Sequence, residues 1–394
     1  MTTVTTTMAV APYSPARAWI AERLFRHVVR RLAVSVVFPD GERIGLGGPE
    51  MRIVRPEAFF HRLGVDAKIG FGEAYMAGDW TSPDPATLLT PFAARIADLV
   101  PRPLQTLRRW VDAAHPTDEK NTVVGARSNI HRHYDLSNEM FEVFLDPSMT
   151  YSSAWFSPGD SLATAQARKI DGILDLAGVT SGTRLLEIGT GWGTLAIRAA
   201  QRGAHVTTLT ISTSQQAYAL ERIADAGVSV DVQLRDYRDA MGTYDAVVSV
   251  EMIEAVGAEY WPTYFQTLSR LLRPGGRVGL QAITMPHDRM LATRRSYTWI
   301  HKYVFPGGQL LSVPAVEGNA RAAGLDITAR RALGADYART LDSWRARFLD
   351  GWDRVAALGF DEVFQRMWEF YLAYTSAGFR SGYLDVWQFG MVKE

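Results

Sequence analysis

Residues 184–193 read Arg-Leu-Leu-Glu-Ile-Gly-Thr-Gly-Trp-Gly, and they set the class of the chain. The apolar run Leu185–Ile188, with Glu187 at its end, reads as a short buried strand. Glycines follow at 189, 191 and 193, and Thr194–Arg202 then has helical spacing. Such glycines let the chain turn sharply and bring bare backbone close to a ligand at the carboxyl end of a strand. A Gly-x-Gly-x-Gly pattern after an acidic strand end suits S-adenosylmethionine better than NAD, whose fingerprint is Gly-x-Gly-x-x-Gly. Glycine-rich strand-to-helix turns also occur without a ligand, so the loop alone leaves the question open.

Outward from this loop the pattern alternates as a doubly wound sheet should. His205–Thr210 reads as a second strand, followed by a helix over Ser212–Ala226 that Gly227 stops. Val228–Leu234 alternates apolar and polar residues as a third strand. Tyr244–Val250 is a nearly continuous apolar run and therefore a central fourth strand. Arg277–Ile283, Leu325–Ala332 and Asp385–Val392 complete seven. Upstream, Ser14 and Pro15 open an amphipathic helix whose apolar face reads as Trp19, Ile20, Leu24 and Val28, opposite Arg23, Arg26, Arg30 and Arg31. That pattern fits an anionic membrane surface or packing on its own domain. Short strands over 33–39 and 43–46 flank an Asp40-Gly41 hairpin turn. Residues 55–115 are mainly helical, with 70–80 as a glycine and aromatic interlude. The expected organisation is a flexible tail over 1–15, a smaller α+β domain over 16–115 and a linker over 116–125. An α/β domain follows over 126–394, with inserts at 284–322 and 336–380.

Composition narrows the function. The chain has 394 residues, 42 basic and 42 acidic, which argues against a nucleic-acid partner defined by bulk charge. It has no cysteine, so disulfides, thiolate metal sites and cysteine nucleophiles are excluded. No apolar run is long enough to span a bilayer, and the threonine-rich start lacks the pattern of a secretory signal. A cytoplasmic enzyme is the expectation. His131 and His133, two apart, would not share a helix face, so no metal site is expected. No Ser-His-Asp set or Walker loop is present either.

Ligands of an open parallel sheet sit beyond the carboxyl ends of its strands. Glu187 ends strand one. Thr210 and Gln215 follow strand two, where Ser212 and Gln215 also have capping-box spacing. Asp236 and Tyr237 end strand three and offer an acceptor and a stacking face for adenine. Strand four runs into Glu251-Met-Ile-Glu254, and Glu254 is positioned to face a transferred group. Gln281 and the Ile283 backbone end strand five beside it. Each alone is more often structural; in order on successive strands they favour a cofactor site.

The chain resembles the cyclopropane-fatty-acid synthase family. The resemblance is carried by His133-Tyr-Asp-Leu-Ser-Asn138, Tyr151-Ser-Ser-Ala154, the 186–193 loop and Glu251-Met-Ile-Glu-Ala-Val-Gly257. Phe305-Pro-Gly-Gly308 and Gly334-Ala-Asp-Tyr-Ala-Arg-Thr-Leu341 belong to it too. It runs from about residue 120 to the end, and 60–80 resemble the extra domain of phospholipid-acting members. Residues 282–294 and 378–386 resemble an actinobacterial subgroup that makes methylene or methyl branches, as in tuberculostearic acid.

The resemblance implies a seven-stranded class I methyltransferase sheet, Rossmann-like, with helical inserts. It also implies methyl transfer from S-adenosylmethionine to a cis double bond in a membrane phospholipid acyl chain. The alkene must be held in line with the methyl in a dry pocket, and a base must remove a proton from the resulting cation. In the family a bound bicarbonate serves. Its implied holders here are Glu254, Tyr337, the Ile283 backbone, Ser153 and Gln281, the last two standing where many members have cysteine and histidine. Implied cofactor residues are Tyr151, Ser152, Glu187, Gly189, Gly191, Gly193, Thr210, Gln215, Asp236 and Tyr237. Loss of a proton from the transferred methyl closes a cyclopropane; a methylene branch requires a hydride shift first. The implied partner is unsaturated phospholipid at the inner membrane face, with a homodimer and, for a methyl branch, a separate reductase as further candidates. A soluble or carrier-bound acyl substrate is the competing reading. The aromatic residues Trp299, Tyr303, Phe305, Trp344, Phe348, Trp368, Phe370 and Tyr371 suit either an acyl tunnel or a core.

Overall fold

The computed structural model describes residues 10–95 and 137–394. Most of the expected tail, the stretch 96–115, the linker 116–125, and His131 and His133 lie outside the described residues. The chain divides into two units. One comprises Met1–His115, Arg295–Pro306 and Leu341–Tyr383; the other comprises Pro116–Arg294, Gly307–Thr340 and Leu384–Glu394.

The first unit gathers parts of both inserts, and its aromatic side chains are the reason. Phe370 packs against Phe71, Tyr75, Trp80 and Trp299 at ring separations of 4.8–6.4 Å. Trp344, Phe348, Trp368 and Phe370 are all fully buried core residues. Burying such rings removes large apolar areas from water, roughly 1.5–3 kcal/mol for a side chain of Phe size. Residues 70–80 are mostly helix rather than an interlude: Ala67–Ala77 is helical, capped by the Asp66 carboxylate accepting from the Lys68 and Ile69 N–H groups. The glycines there serve close packing, since a Cβ on Gly72 would lie 2.5 Å from Trp299 Cδ1.

The helix Pro15–Val29 forms as its Ser-Pro start predicts, but it is rotated from the expected face. Ala18, Phe25 and Val29 are buried, whereas Trp19 is 57% and Ile20 51% exposed. Phe25 docks edge-on against Phe59 and Phe60, and this aromatic contact sets the rotation. Tyr13 stacks on His61, so the last residues of the expected tail are anchored. Strands β1 (Ser35–Val37) and β2 (Arg43–Ile44) form the expected hairpin. β3 (Glu50–Ile53) runs parallel to β1, and β4 (Trp80–Thr81) closes the order β2-β1-β3-β4.

The second unit is built on a seven-stranded sheet. Its strands are β5 (Arg184–Ile188), β6 (His205–Thr210), β7 (Val230–Leu234), β8 (Tyr244–Val250), β9 (Leu272–Thr284), β10 (Leu325–Ala332) and β11 (Asp385–Lys393). The spatial order is β10-β11-β9-β8-β5-β6-β7. β5 to β9 pair in parallel, while β11 is antiparallel to both its neighbours. This is the order of a class I methyltransferase sheet, with β8 in the middle as its apolar run required. Ala246, Val247 and Val248 are at most 1% exposed. One face is covered by Ile170, Ile173, Leu174 and Leu195, the other by Tyr264, Phe265 and Leu268. Between β5 and β8 the order reverses direction, and in open sheets of this kind ligands bind there in a cleft at the carboxyl ends.

Candidate active site

The cleft has two halves. The first is made of backbone. Gly189, Gly191 and Gly193 have φ of 98°, 51° and 87°, a region that disfavours any side chain. The N–H groups of Gly189 and Thr190 both donate to the Leu209 carbonyl at 3.0 Å, tying the loop to the end of β6. A Cβ on Gly193 would lie 3.2 Å from Ala219 Cβ, so glycine permits the close helix approach. Beneath the loop, buried Glu187 accepts from Thr208 Oγ1 at 2.6 Å, and Thr208 meets Thr190 at 2.8 Å. Burial pushes the Glu187 carboxyl up to about 8.

The remaining expected cofactor residues are each held by neighbouring segments. Thr210 Oγ1 donates to Gln215 Oε1 at 3.0 Å, and Ser212 caps the helix Thr213–Asp225 through the Gln215 N–H. The Tyr151 ring stands edge-on to Phe141 at 5.2 Å. Ser152 Oγ accepts from the buried Lys169 ammonium at 2.5 Å. At the end of β7 the Asp236 carboxylate is paired with the Arg238 guanidinium at 2.7 Å. Tyr237 is 8% exposed and packs edge-on against Tyr264 in the apolar core. Burial pushes its hydroxyl up to about 12.

The second half is made of side chains and converges on a residue outside the expected set, Glu251. It directly follows β8, where its N–H donates to the Gln281 carbonyl at 2.8 Å and extends the ladder with β9. Glu251 Oε1 accepts from the Ser153 N–H at 2.9 Å and from Gln281 Nε2 at 2.7 Å. Glu251 Oε2 accepts from the Tyr337 hydroxyl at 2.7 Å. Gln281 is held in turn, its Oε1 accepting from Gln388 Nε2 at 3.0 Å. The Ser153 hydroxyl points away and donates to the Ala154 carbonyl. Burial raises the Glu251 carboxyl above its ordinary value, opposed by the Ser153 N–H, the charge of Lys169, Tyr337 and Gln281. Lys169 itself is pushed down to about 8 by burial.

Glu254 stands one short turn later, where Oε1 accepts from the Ile283 N–H at 2.5 Å. Its Oε2 is shielded from solvent and has no hydrogen-bond partner. Burial and the neighbouring Glu251 charge push it up to about 8. The structure therefore brings Ser153, Gln281, Ile283, Glu254 and Tyr337 together. Three of their donors, however, are already committed. The Ser153 N–H, the Ile283 N–H and the Tyr337 hydroxyl carry one hydrogen each, and each is given to a carboxylate of the chain. This donor set does not fit a separate bicarbonate. Among the described residues, no group of three His, Asp or Glu side chains is arranged to hold a metal.

Comparison with known proteins was informative along most of the chain. Residues 122–389 match the family model described as mycolic acid cyclopropane synthetase. The tuberculostearic acid methyltransferase UfaA1 of Mycobacterium tuberculosis is 50% identical over 97% of this chain and 93% of its own length. The cyclopropane-fatty-acyl-phospholipid synthase of Escherichia coli is 33% identical over 91% of this chain and 92% of its own. Among solved structures, mycolic acid cyclopropane synthase CmaA1 complexed with SAH and CTAB superposes with a TM-score of 0.63 at 34% identity. It covers 68% of this chain and 98% of that one.

Proposed function

The chain belongs to the mycolic acid cyclopropane synthetase family of S-adenosylmethionine-dependent methyltransferases, and on that premise we propose that it methylates the cis double bond of an oleoyl-type chain in a membrane phospholipid. The observation that carries this reading is the 50% identity to a tuberculostearic acid methyltransferase along nearly the whole chain. On that likeness the proposed product is a methylene branch, the precursor of a methyl branch once a separate reductase has acted. Cyclopropane formation is the second reading, supported by the similarity to the E. coli synthase.

The backbone of Gly189, Gly191 and Gly193, held at positive φ that disfavours a side chain, is the proposed cradle for S-adenosylmethionine. Thr210, at the end of β6, and Gln215, in the first turn of the helix that follows, are the proposed partners of the ribose hydroxyls. Tyr151 and Ser152 close the opposite side, and Asp236 and Tyr237 the adenine end. The cofactor supplies an electrophilic methyl group. The alkene π pair forms the new C–C bond as the C–S bond breaks, which leaves a cation on the acyl chain. Exclusion of water from the reacting atoms would protect that cation from hydration.

The membrane is reached through the first unit. Trp19, Ile20 and Leu24 are exposed on the helix Pro15–Val29, and Arg17, Arg23, Arg30 and Arg31 are exposed around them. The Arg23 guanidinium lies over the Trp19 ring at 4.1 Å. Apolar residues among cations suit the headgroup region of an anionic inner leaflet. Among the described residues no helix is long and apolar enough to cross the bilayer. The test is to incubate the protein with methyl-labelled S-adenosylmethionine and oleoyl-phospholipid vesicles, then analyse the acyl chains by NMR. Label in a methylene or cyclopropane carbon supports the proposal and distinguishes its two products. Label confined to a soluble acyl substrate would replace it.

A further inference from the structure

The donor set around Glu251 looks like an anion site whose anion is part of the chain. Three donors from three distant segments converge on one carboxylate: the Ser153 N–H, Gln281 Nε2 and the Tyr337 hydroxyl, at 2.7–2.9 Å. A carboxylate and a bicarbonate share the same planar O–C–O fork, so one can fill the cradle of the other. The backbone at this point is also unusual. Among the described residues, only Met149 and Glu251 are non-glycines with positive φ, and Glu251 sits at 48°. Holding a glutamate in that region is unfavourable, and such strain gathers at functional sites. The strained conformation turns the Glu251 side chain from the strand end into the donors.

We infer that Glu251 is the catalytic base of this enzyme, standing where related enzymes are expected to use a bound bicarbonate. The inference rests on the methyl-transfer reading above. After methyl transfer, one acyl carbon bears the methyl and its neighbour the positive charge. For a methylene branch, a hydride moves from the methyl-bearing carbon to that neighbour, and the charge moves the other way. The Glu251 carboxylate then takes a proton from the transferred methyl. The C–H pair becomes the new π bond, and Glu251 ends as the neutral acid. For a cyclopropane the same proton leaves without the shift, and the pair closes the ring. A hydrogen beside a carbocation is so acidic that a weak base suffices if it is correctly placed. Three fixed donors supply that placement. They also offset part of the cost of burying its charge.

The experiment uses the full chain, labelled S-adenosylmethionine and oleoyl-phospholipid vesicles, in buffer freed of carbon dioxide and in buffer with added bicarbonate. Wild type is expected to turn over equally in both. E251Q should lose roughly 100-fold to 10,000-fold, the range for removal of a general base, while binding S-adenosylmethionine as wild type does. E251G should be as inactive without bicarbonate and regain at least about tenfold with it, because the vacated donors then accept the ion. Glycine adopts φ of 48° without strain, so this variant is expected to fold. Wild-type turnover that vanishes without bicarbonate and returns with it would overturn the inference while upholding lipid methylation. So would an E251Q enzyme of undiminished rate. Lipid methylation absent from wild type in both buffers would instead remove the functional reading. Carbon-13 bicarbonate binding by NMR still decides the Glu251 question in that case. Binding to E251G and not to wild type supports it, and binding to wild type contradicts it.

Discussion

The two halves of the cleft are built in opposite ways. The cofactor half is local: three glycines within five residues, joined to the ends of neighbouring parallel strands. The base half is assembled from positions far apart in the chain, with Ser153 and Glu251 separated by 98 residues and Glu251 and Tyr337 by 86. A backbone cradle tolerates almost any sequence around it but no side chain within it. A side-chain cluster tolerates change at any one member only if the others still satisfy the charge. The two halves should therefore fail differently, the first in binding and the second in turnover.

The largest expected effect is the E251Q loss of turnover with unchanged cofactor affinity; a matching loss of affinity would merge the halves. Next is Gly193→Val. It forces a side chain onto φ of 87° and against Ala219, at a cost of about 1–3 kcal/mol. Calorimetry should show S-adenosylmethionine binding weakened by about tenfold to a hundredfold. A variant that binds normally but turns over slowly would break the comparison from the other side.

Lys169→Met probes the buried link between the halves, since Lys169 donates to Ser152 and its charge acts on both Glu187 and Glu251. Leaving Ser152 without its charged partner should cost about 1–3 kcal/mol in urea denaturation. An unchanged midpoint would show that the lysine carries no structural load.

The last effect is in the pH dependence of stability. Glu187 and Glu254 have folded values raised to about 8 from an ordinary 4.5. Between those values the unfolded chain has released protons that the folded chain keeps, so stability falls as pH rises and the loss is complete above about 8. Lys169, lowered to about 8 from 10.5, acts in the opposite sense and restores stability between those two values. Urea midpoints should therefore pass through a minimum near pH 8. Glu254→Gln should make the falling limb shallower, and an unchanged slope would assign that limb elsewhere.

The contrast between the halves also explains what could be read in the sequence. The strands of the central sheet are legible because apolar runs and glycine turns are local signals, and β5, β6 and β8 lie where those signals put them. The roles of Ser153, Gln281 and Tyr337 came through resemblance, and so did the bicarbonate they were expected to hold. Glu251 belongs to the same motif, in which the sequence points to Glu254 instead. Its importance depends on a positive φ and on donors from three separate segments, neither of which has a local pattern. Two misreadings elsewhere have the same origin. The helix Pro15–Val29 buries Phe25 because Phe59 and Phe60 await it, and 70–80 is mostly helical because Trp299 packs on Gly72. In each case a distant partner outweighed the local pattern.

The central claim is that a methyl group is added to a lipid alkene and then itself loses the proton. The direct measurement uses S-adenosylmethionine carrying a fully deuterated methyl, with mass spectrometry of the oleoyl chains recovered from vesicles. The account predicts product chains that keep two of the three deuterons, whichever of the two products forms. Chains that keep all three, or lipid with no deuterium in its acyl groups, would contradict it.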